Sequence, residues 1–476
     1  MGRRQQNACD ELHVREVSRR LVKASDSTIE PHVLAVSNLD LIPQRIQGSV
    51  FCIYPKPFDT DFNAVVHAFE CGLPSLLNYF FPLAGRLVTN PSSGLPEVDF
   101  RNQGAELVVG EAAAVSLASL DYGAMGPSMR RILVPFGEDV PLSVQVVSFA
   151  CGGFTVAWCM HHVLMDGSAM SQLVSAWSEL ARSGNNKLSV GSRPSHDRSS
   201  VFRPREPPSY DSASLDESFT LLDARRQVNV LALEQCLVER LYYIDASAMA
   251  RLREAASGRR RRRATRAQAF SAYLWKVLAG VVGAADTHCR MGWWVNGRKV
   301  VTDPQLRAAV RDYFGNMVTF VVREERVQDV LAMPLPDVAA QVREAISAPA
   351  YDEHFQELVD WVEEHKPRRY IETAVLGLGS PEVSITMFSS FRMDTDFGFG
   401  HAALALPVVI KEVARSCSGY VQTCARPGHD DGSWFVNALV WPKLAAALED
   451  DQLRIFKPVT PEYLGLFAPQ NQRSRL

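Results

Sequence analysis

The 476-residue chain contains no CxxC pair and no HExxH segment, and its nine cysteines are an odd number. Cys9, Cys52, Cys71, Cys151, Cys159, Cys236, Cys289, Cys417 and Cys424 therefore read as reduced thiols in a reducing compartment, not as a disulfide framework or a zinc site. No bound metal is expected. The formal net charge is -3, so the basic excess of a nucleic-acid binder is missing. No run approaches the roughly 18 apolar residues that a membrane span needs. The polar start Met1-Gly2-Arg3-Arg4-Gln5-Gln6 leads to no apolar segment, so neither an anchor nor a signal peptide is expected. Gln6 stands where myristoylation of Gly2 needs Ser or Thr. Signatures of other chemistries are absent too. Gly377-Leu378-Gly379 lacks a third glycine for a phosphate loop, no GxSxG elbow occurs, and Asp396-Phe397-Gly398 has no kinase catalytic loop to accompany it.

What is present is an ordinary globular composition, 47% hydrophobic and 22% charged, on a chain long enough for two domains. Leu142–Ala150 and Phe154–Met160 are β-rich runs separated by Cys151-Gly152-Gly153, whose glycines accept the positive φ of a tight hairpin. Ser168–Arg182 carries Met170, Leu173, Val174, Trp177 and Leu180 at helical spacing, which predicts an amphipathic helix against a core. The Ser-, Pro-, Arg- and Asp-rich stretch that follows lacks periodicity and reads as an exposed crossover. Beyond it, Ala267–Val282 reads as a buried helix, and Met291–Val295, Val318–Val322, Ser384–Phe388 and Trp434–Leu439 as strands. The expectation is an α/β chain with mixed sheets, divided into residues 1–185, a linker at 186–218, and residues 219–476.

The central motif is His161-His162-Val163-Leu164-Met165-Asp166-Gly167. Transfer of an acyl group from a thioester to a hydroxyl or amine needs a base for the acceptor's proton. Imidazole suits the task because its ordinary pKa, about 6.5, leaves much of it neutral near pH 7. A thioester is already activated, so no covalent enzyme intermediate is needed. Strand alternation sends adjacent side chains to opposite faces, so one of the two histidines is expected at the site. A strand end followed by a helix N-cap explains the same residues without catalysis. The second motif, Asp396-Phe397-Gly398-Phe399-Gly400, predicts a tight turn whose backbone approaches something closely.

Together these motifs resemble the HxxxDG and DFGWG signatures of the plant BAHD acyltransferases. Asn78–Leu87 resembles that family's YYPLAGRL segment, and Ser37-Asn38-Leu39-Asp40 its LSxLD segment. Val295-Asn296-Gly297-Arg298 and Tyr313-Phe314-Gly315-Asn316 resemble its NxR and YFGN stretches. The resemblance implies two chloramphenicol-acetyltransferase-like domains with an interface tunnel, entered by coenzyme A from one side and the acceptor from the other. It implies that His162 is the base, that Asp166 is structural and pairs with Arg298, and that Asp396–Gly400 shapes the cofactor side. No bound cofactor is implied, only acyl-CoA as co-substrate and a small-molecule alcohol or amine as partner. Two departures stand out. Phe399 replaces a tryptophan and so lacks its N–H donor, and Ile385-Thr386-Met387-Phe388 replaces a Ser/Thr-Trp pair near the acceptor pocket.

Arg259–Arg263 with Arg266 reads either as a solvated loop or as a phosphate contact for coenzyme A, since guanidinium binds phosphate bidentately. Arg262, Arg263 and Thr265 are the cofactor-binding candidates. Met387 and Phe388, with Phe391 nearby, are the candidates for an apolar acyl or acceptor wall, which favours an aromatic donor such as hydroxycinnamoyl-CoA. Filling a core explains the same residues. A condensation-type domain and a catalytically silent regulatory relative are the alternatives. The protein is expected to act as a cytoplasmic monomer, with a peroxisomal address at Ser474-Arg475-Leu476 as the other reading.

Overall fold

The computed structural model describes residues 12–467, except 44–46, 124–130, 134–136, 138, 185, 199–200, 222–228, 235, 259–261, 367–369, 373–378, 392, 409–417, 430 and 451. Ser474-Arg475-Leu476 and Arg259–Arg261 therefore lie outside the described residues.

Two mixed sheets organise the chain. The first runs, in spatial order, through Arg15–Val22, Ala105–Ala112, Leu142–Phe149, Phe154–His161, Gln47–Tyr54 and Leu404–Val408. The second runs through Val318–Arg326, His288–Asn296, Glu382–Met387, Gly419–Ala425, Trp434–Val440, Val238–Ile244 and Lys457–Pro458. In the first sheet only Ala105–Ala112 and Leu142–Phe149 pair in parallel. In the second, Glu382–Met387 lies parallel to both of its neighbours.

The predicted hairpin is present, with Gly152 at φ 77° in the turn between Leu142–Phe149 and Phe154–His161. Every residue of Phe154–His161 is buried, as a strand covered on both faces requires. The predicted helix spans Gly167–Ser183 and buries Met170, Leu173, Val174, Trp177 and Leu180. It closes at Gly184, in the left-handed conformation that favours glycine at a helix end. Helix Phe62–Tyr79 packs on it through Gly72, where a Cβ would lie 2.8 Å from the Trp177 indole nitrogen. On the other sheet, helix Arg266–Val282 starts from a capping box between Thr265 and Gln268 and buries Phe270, Leu274, Trp275 and Leu278. The predicted strand at Ser384–Phe388 ends one residue early, because Phe388 opens a 3-10 turn.

Two observations depart from the exposed crossover expected at 186–218. Ser195 forms a parallel bridge with Tyr313, and the Arg198 side chain is only 9% exposed. Composition marks such a stretch as polar, but a guanidinium opposite a buried carboxylate is drawn inside. Leu404–Val408, from near the other end of the sequence, pairs with Gln47–Tyr54 and completes the first sheet. That pairing carries the Asp396–Gly400 loop onto the N-terminal core.

Candidate active site

His161 ends its strand only 2% exposed, and His162, a partly exposed residue whose Nδ1 is buried, opens the 3-10 turn His162–Leu164. Burial lowers the His162 pKa below 6.5, outweighing the opposing influence of its own carbonyl, Asp166, Asn316 and Asp40. The turn is held from outside. Asn316 Nδ2 donates to the His162 carbonyl at 2.8 Å, and Arg198 Nη2 donates to the Leu164 carbonyl at 3.3 Å. Both holders converge on the buried Asp40 carboxylate, which accepts from Asn316 Nδ2 at 3.0 Å and Arg198 Nε at 2.9 Å. Gly48 brings the neighbouring strand close to the ring, since a Cβ there would lie 3.6 Å from His162 Cδ2.

Asp166 is the N-cap of helix Gly167–Ser183, accepting from the Ser168 and Ala169 amides, each at 3.0 Å. Its second oxygen accepts from Arg298 Nη1 at 2.6 Å and from the Met317 amide at 2.8 Å. Four donors thus occupy the carboxylate. Arg298 reaches Asp166 from the short helix Gly297–Val300 and spends Nη2 on the Tyr313 and Gly315 carbonyls. Both side chains are nearly dry, at 7% and 2% exposed.

Gly167 meets the opposite half of the chain. A Cβ there would lie 2.8 Å from both Phe388 Cε1 and Phe391 Cε2. A Gly167→Ala change is therefore expected to push those rings apart and lower both soluble yield and turnover, measured against wild type at one temperature. Beside this contact lies a cavity of about 540 Å³, lined from one side by Val50, Gly167, Met170 and Ser171 and from the other by Phe388, Ser389, Phe391 and Met393. Its polar wall is Arg266, Asp394, His401, Arg426 and His429. Of the pocket candidates, Phe388 lines this cavity, whereas Met387 packs against the C-terminal core and accepts from Thr423 Oγ1 at 3.3 Å. Of the cofactor candidates, Arg262 and Arg263 are exposed, and Thr265 uses its hydroxyl to cap Gln268 at 3.1 Å.

Within Asp396–Gly400, Asp396 Oδ1 accepts from the Gly398 and Gly400 amides at 2.9 and 3.0 Å, and both glycines have positive φ, 102° and 94°. This turn aims Phe397 into the N-terminal core, 4.7 Å from Phe69 and stacked 6.1 Å from Trp158. Phe399 fills a slot between Tyr54 and Phe154, at 5.5 and 5.2 Å. Arg182 fastens the loop by an ion pair with Asp394 at 2.6 Å. Phe397→Ala is expected to destabilise the protein by about 3–5 kcal/mol, read by denaturant unfolding.

Sequence reasoning missed Arg198, Arg426 and His429. Arg198 sits in a stretch marked only by polarity, and the other two in a turn-rich segment with no periodic signal. Among the described residues no cluster of His, Cys, Asp and Glu could hold a metal ion, and no helix is long and apolar enough to cross a membrane.

Comparison with known proteins agrees with this architecture. The structure resembles F. graminearum TRI101 complexed with ethyl coenzyme A, at a TM-score of 0.72 and 14% identity, over 89% of this chain and 98% of that one. It also resembles vinorine synthase, at a TM-score of 0.66 and 18% identity, over 94% of this chain and 99% of that one. In sequence, omega-hydroxypalmitate O-feruloyl transferase of Arabidopsis thaliana is 26% identical over 414 residues, 84% of this chain and 85% of its own. Anthranilate N-benzoyltransferase protein 1 of Dianthus caryophyllus is 27% identical over 385 residues, 74% of this chain and 79% of its own. The Transferase family model matches residues 12–454, nearly the whole of both sheets, and includes His161–Gly167 and Asp396–Gly400. On that match, and with acyltransferases as its relatives, this chain belongs to the Transferase (BAHD) family and is an enzyme that transfers acyl groups other than aminoacyl groups.

Proposed function

We propose that the protein moves an aromatic acyl group, of the hydroxycinnamoyl or benzoyl kind, from coenzyme A to a hydroxyl or amine of a small metabolite. The observation that carries the reaction type is His162, a partly exposed residue whose imidazole pKa is depressed, held on a turn whose carbonyls are fixed from two distant segments, by Asn316 and Arg198. His162 takes the proton from the acceptor as its oxygen or nitrogen attacks the thioester carbonyl. Collapse of that adduct expels the coenzyme A thiolate, which receives a proton, and no acyl-enzyme forms. Asp166 takes no proton in this scheme, because its oxygens already accept four hydrogen bonds. Its part, with Gly167, Arg298 and the Asp396–Gly400 turn, is to hold the two halves in register.

The cavity beside Gly167 supports the cofactor assignment. Phe388, Phe391 and Met393 offer apolar surface to an acyl chain or pantetheine arm, and Arg266 and Arg426 offer guanidinium to phosphate. The aromatic donor is supported by the Phe388–Phe391 pair, 5.2 Å apart and edge-to-face, and by the feruloyl and benzoyl donors in the relatives' names. The test is a mass-spectrometric screen of acetyl-, malonyl-, benzoyl- and coumaroyl-CoA against mixed alcohols and amines. A preference for acetyl- or malonyl-CoA overturns the aromatic donor.

Arg266→Gln and Arg426→Gln are each expected to raise the Michaelis constant for acyl-CoA several-fold, with kcat and the acceptor constant little changed. The wild-type donor constant is expected to worsen with salt. Initial rates over a grid of both substrates check this, and an unaltered donor constant removes the two arginines from the cofactor site. Neutralising Arg262 and Arg263 in the same assay separates a phosphate contact from a solvated loop.

A further inference from the structure

We propose that Phe391 is a specificity-determining residue: with Phe388 it admits flat acyl groups to His162 and turns away thicker ones of the same length. Lys299 is the residue that positions it. The proposal rests on the reading of the cavity beside Gly167 as the seat of acyl-CoA, and it names the shape of acyl group selected there.

One strand relates the cavity to the base. In Gln47–Tyr54, Gly48 faces the His162 ring, with a Cβ placed there 3.6 Å from Cδ2, and Val50 lines the cavity. Residues two apart share a face of a strand and lie roughly 7 Å apart along it. The cavity wall therefore adjoins the strand position that touches the base. Gly167, the residue after Asp166, lines the same end of the cavity. That end is the one Phe388 and Phe391 narrow, since both rings come within 2.8 Å of a Cβ placed at Gly167.

The two rings are held differently. Phe388 packs against a core that includes Leu404, Leu406 and Phe435. Phe391 follows the 3-10 turn Phe388–Ser390, and its amide donates to the Phe388 carbonyl at 2.9 Å. Its ring meets Phe388 edge-on, 5.2 Å away at 80°. Lys299 Nζ donates to the Ser390 carbonyl at 2.7 Å and lies 5.5 Å from the centre of the Phe391 ring. An ammonium so placed is attracted to the ring face. Lys299 directly follows Arg298, which binds Asp166. The short helix Gly297–Val300 thus fixes both the carboxylate behind the catalytic turn and the ring beside it.

A pair of aromatic rings set edge to face offers its best contacts to another planar ring. A benzoyl group is planar. A cyclohexanecarbonyl group has the same skeleton but is puckered, carries hydrogens above and below its mean plane, and has no aromatic quadrupole. The two differ in thickness and hardly in length.

The test compares benzoyl-CoA with cyclohexanecarbonyl-CoA at a saturating acceptor. Wild type is expected to favour benzoyl-CoA in kcat/KM by roughly tenfold or more, within the range that shape alone supplies in an apolar pocket. Phe391→Ala is expected to bring that ratio to within about threefold, chiefly by admitting the saturated donor. Lys299→Met is expected to lower the ratio about two- to fivefold, the worth of an exposed cation–π contact. Lys299→Arg, which keeps a cation and a donor, is expected to restore it. Loss of stability alone slows both donors alike and leaves the ratio unmoved. If Phe391→Ala does not fold, Phe391→Leu is judged by the same ratio. No preference in wild type, or an unmoved ratio in a folded Phe391 variant, overturns the selection. An unmoved ratio in Lys299→Met overturns the positioning. Should wild type prefer acetyl- or malonyl-CoA to both, the aromatic-donor reading fails. The ratio is then taken from inhibition constants against that donor, and it still decides the role of Phe391.

Discussion

Replacing His162 with alanine is expected to lower kcat by roughly 10²–10⁴-fold, the range a positioned general base contributes. The melting temperature should stay near native, because residue 162 is partly exposed and the hydrogen bond from Asn316 Nδ2 is to its backbone carbonyl, which alanine keeps. His161→Ala is expected to behave in the opposite way. The residue is 2% exposed in an all-buried strand, so removal of its side chain perturbs packing more than chemistry. Stopped assays with a saturating acyl-CoA, alongside thermal melts, separate the two. Equal losses of rate at native stability would show that the base is assigned to the wrong histidine.

The pH profile follows from the same ring. Burial disfavours the imidazolium, so the neutral base predominates down to a pH below 6.5, and kcat is expected to be level near pH 7 and to fall at lower pH. The sign for stability is the same. His196 and His354 are pushed down to about 4 by burial, so below pH 6.5 the unfolded chain binds protons that the folded chain refuses. Stability is therefore expected to decline from pH 6.5 toward pH 4, as melts across that window would show.

Asp166→Ala and Arg298→Ala are each expected to destabilise the protein by about 3–5 kcal/mol, because each strands its partner's charge in a dry site. Asp166→Ala also uncaps helix Gly167–Ser183, at a cost of about 0.5–2 kcal/mol. Arg298→Ala leaves the Tyr313 and Gly315 carbonyls without its donors. The double variant is expected to lose less than the sum of the singles, since neither charge is then left alone. Denaturant melts of the three variants measure this coupling. Additive losses, or unchanged melting temperatures, would remove the pair from the structural frame of the site. Arg298→Lys should not restore stability, because one ammonium cannot serve Asp166 and two carbonyls in the guanidinium's fixed geometry.

The sequence by itself determined what repeats locally or is forbidden locally. The hairpin at Cys151-Gly152-Gly153 and the helix beginning after Asp166 follow from glycine's backbone freedom, apolar spacing and capping, all readable within a dozen residues. The aromatic turn at Asp396–Gly400 was legible for the same reason, because only glycine suits φ near +100° at two positions of so short a loop. The family, and with it the expectation of His162 as base, came from motifs whose order along the chain is itself specific.

Tertiary structure decided where those motifs meet. Arg198 and Asn316 lie 158 and 276 positions from Asp40 along the chain, and no periodicity links a carboxylate near the N-terminus to so distant an amide. They join because a buried charge must be satisfied, and the nearest donors in space come from distant segments. Likewise, Met387 and Phe388 are adjacent in sequence but diverge, one into the core and the other onto the cavity, because the strand ends between them. Arg266 and Arg426, 160 positions apart, come to one wall because helix Arg266–Val282 packs on the second sheet, where strand Gly419–Ala425 ends. Spacing sets local geometry, whereas long-range pairing and charge satisfaction, which a linear pattern does not encode, assemble the site.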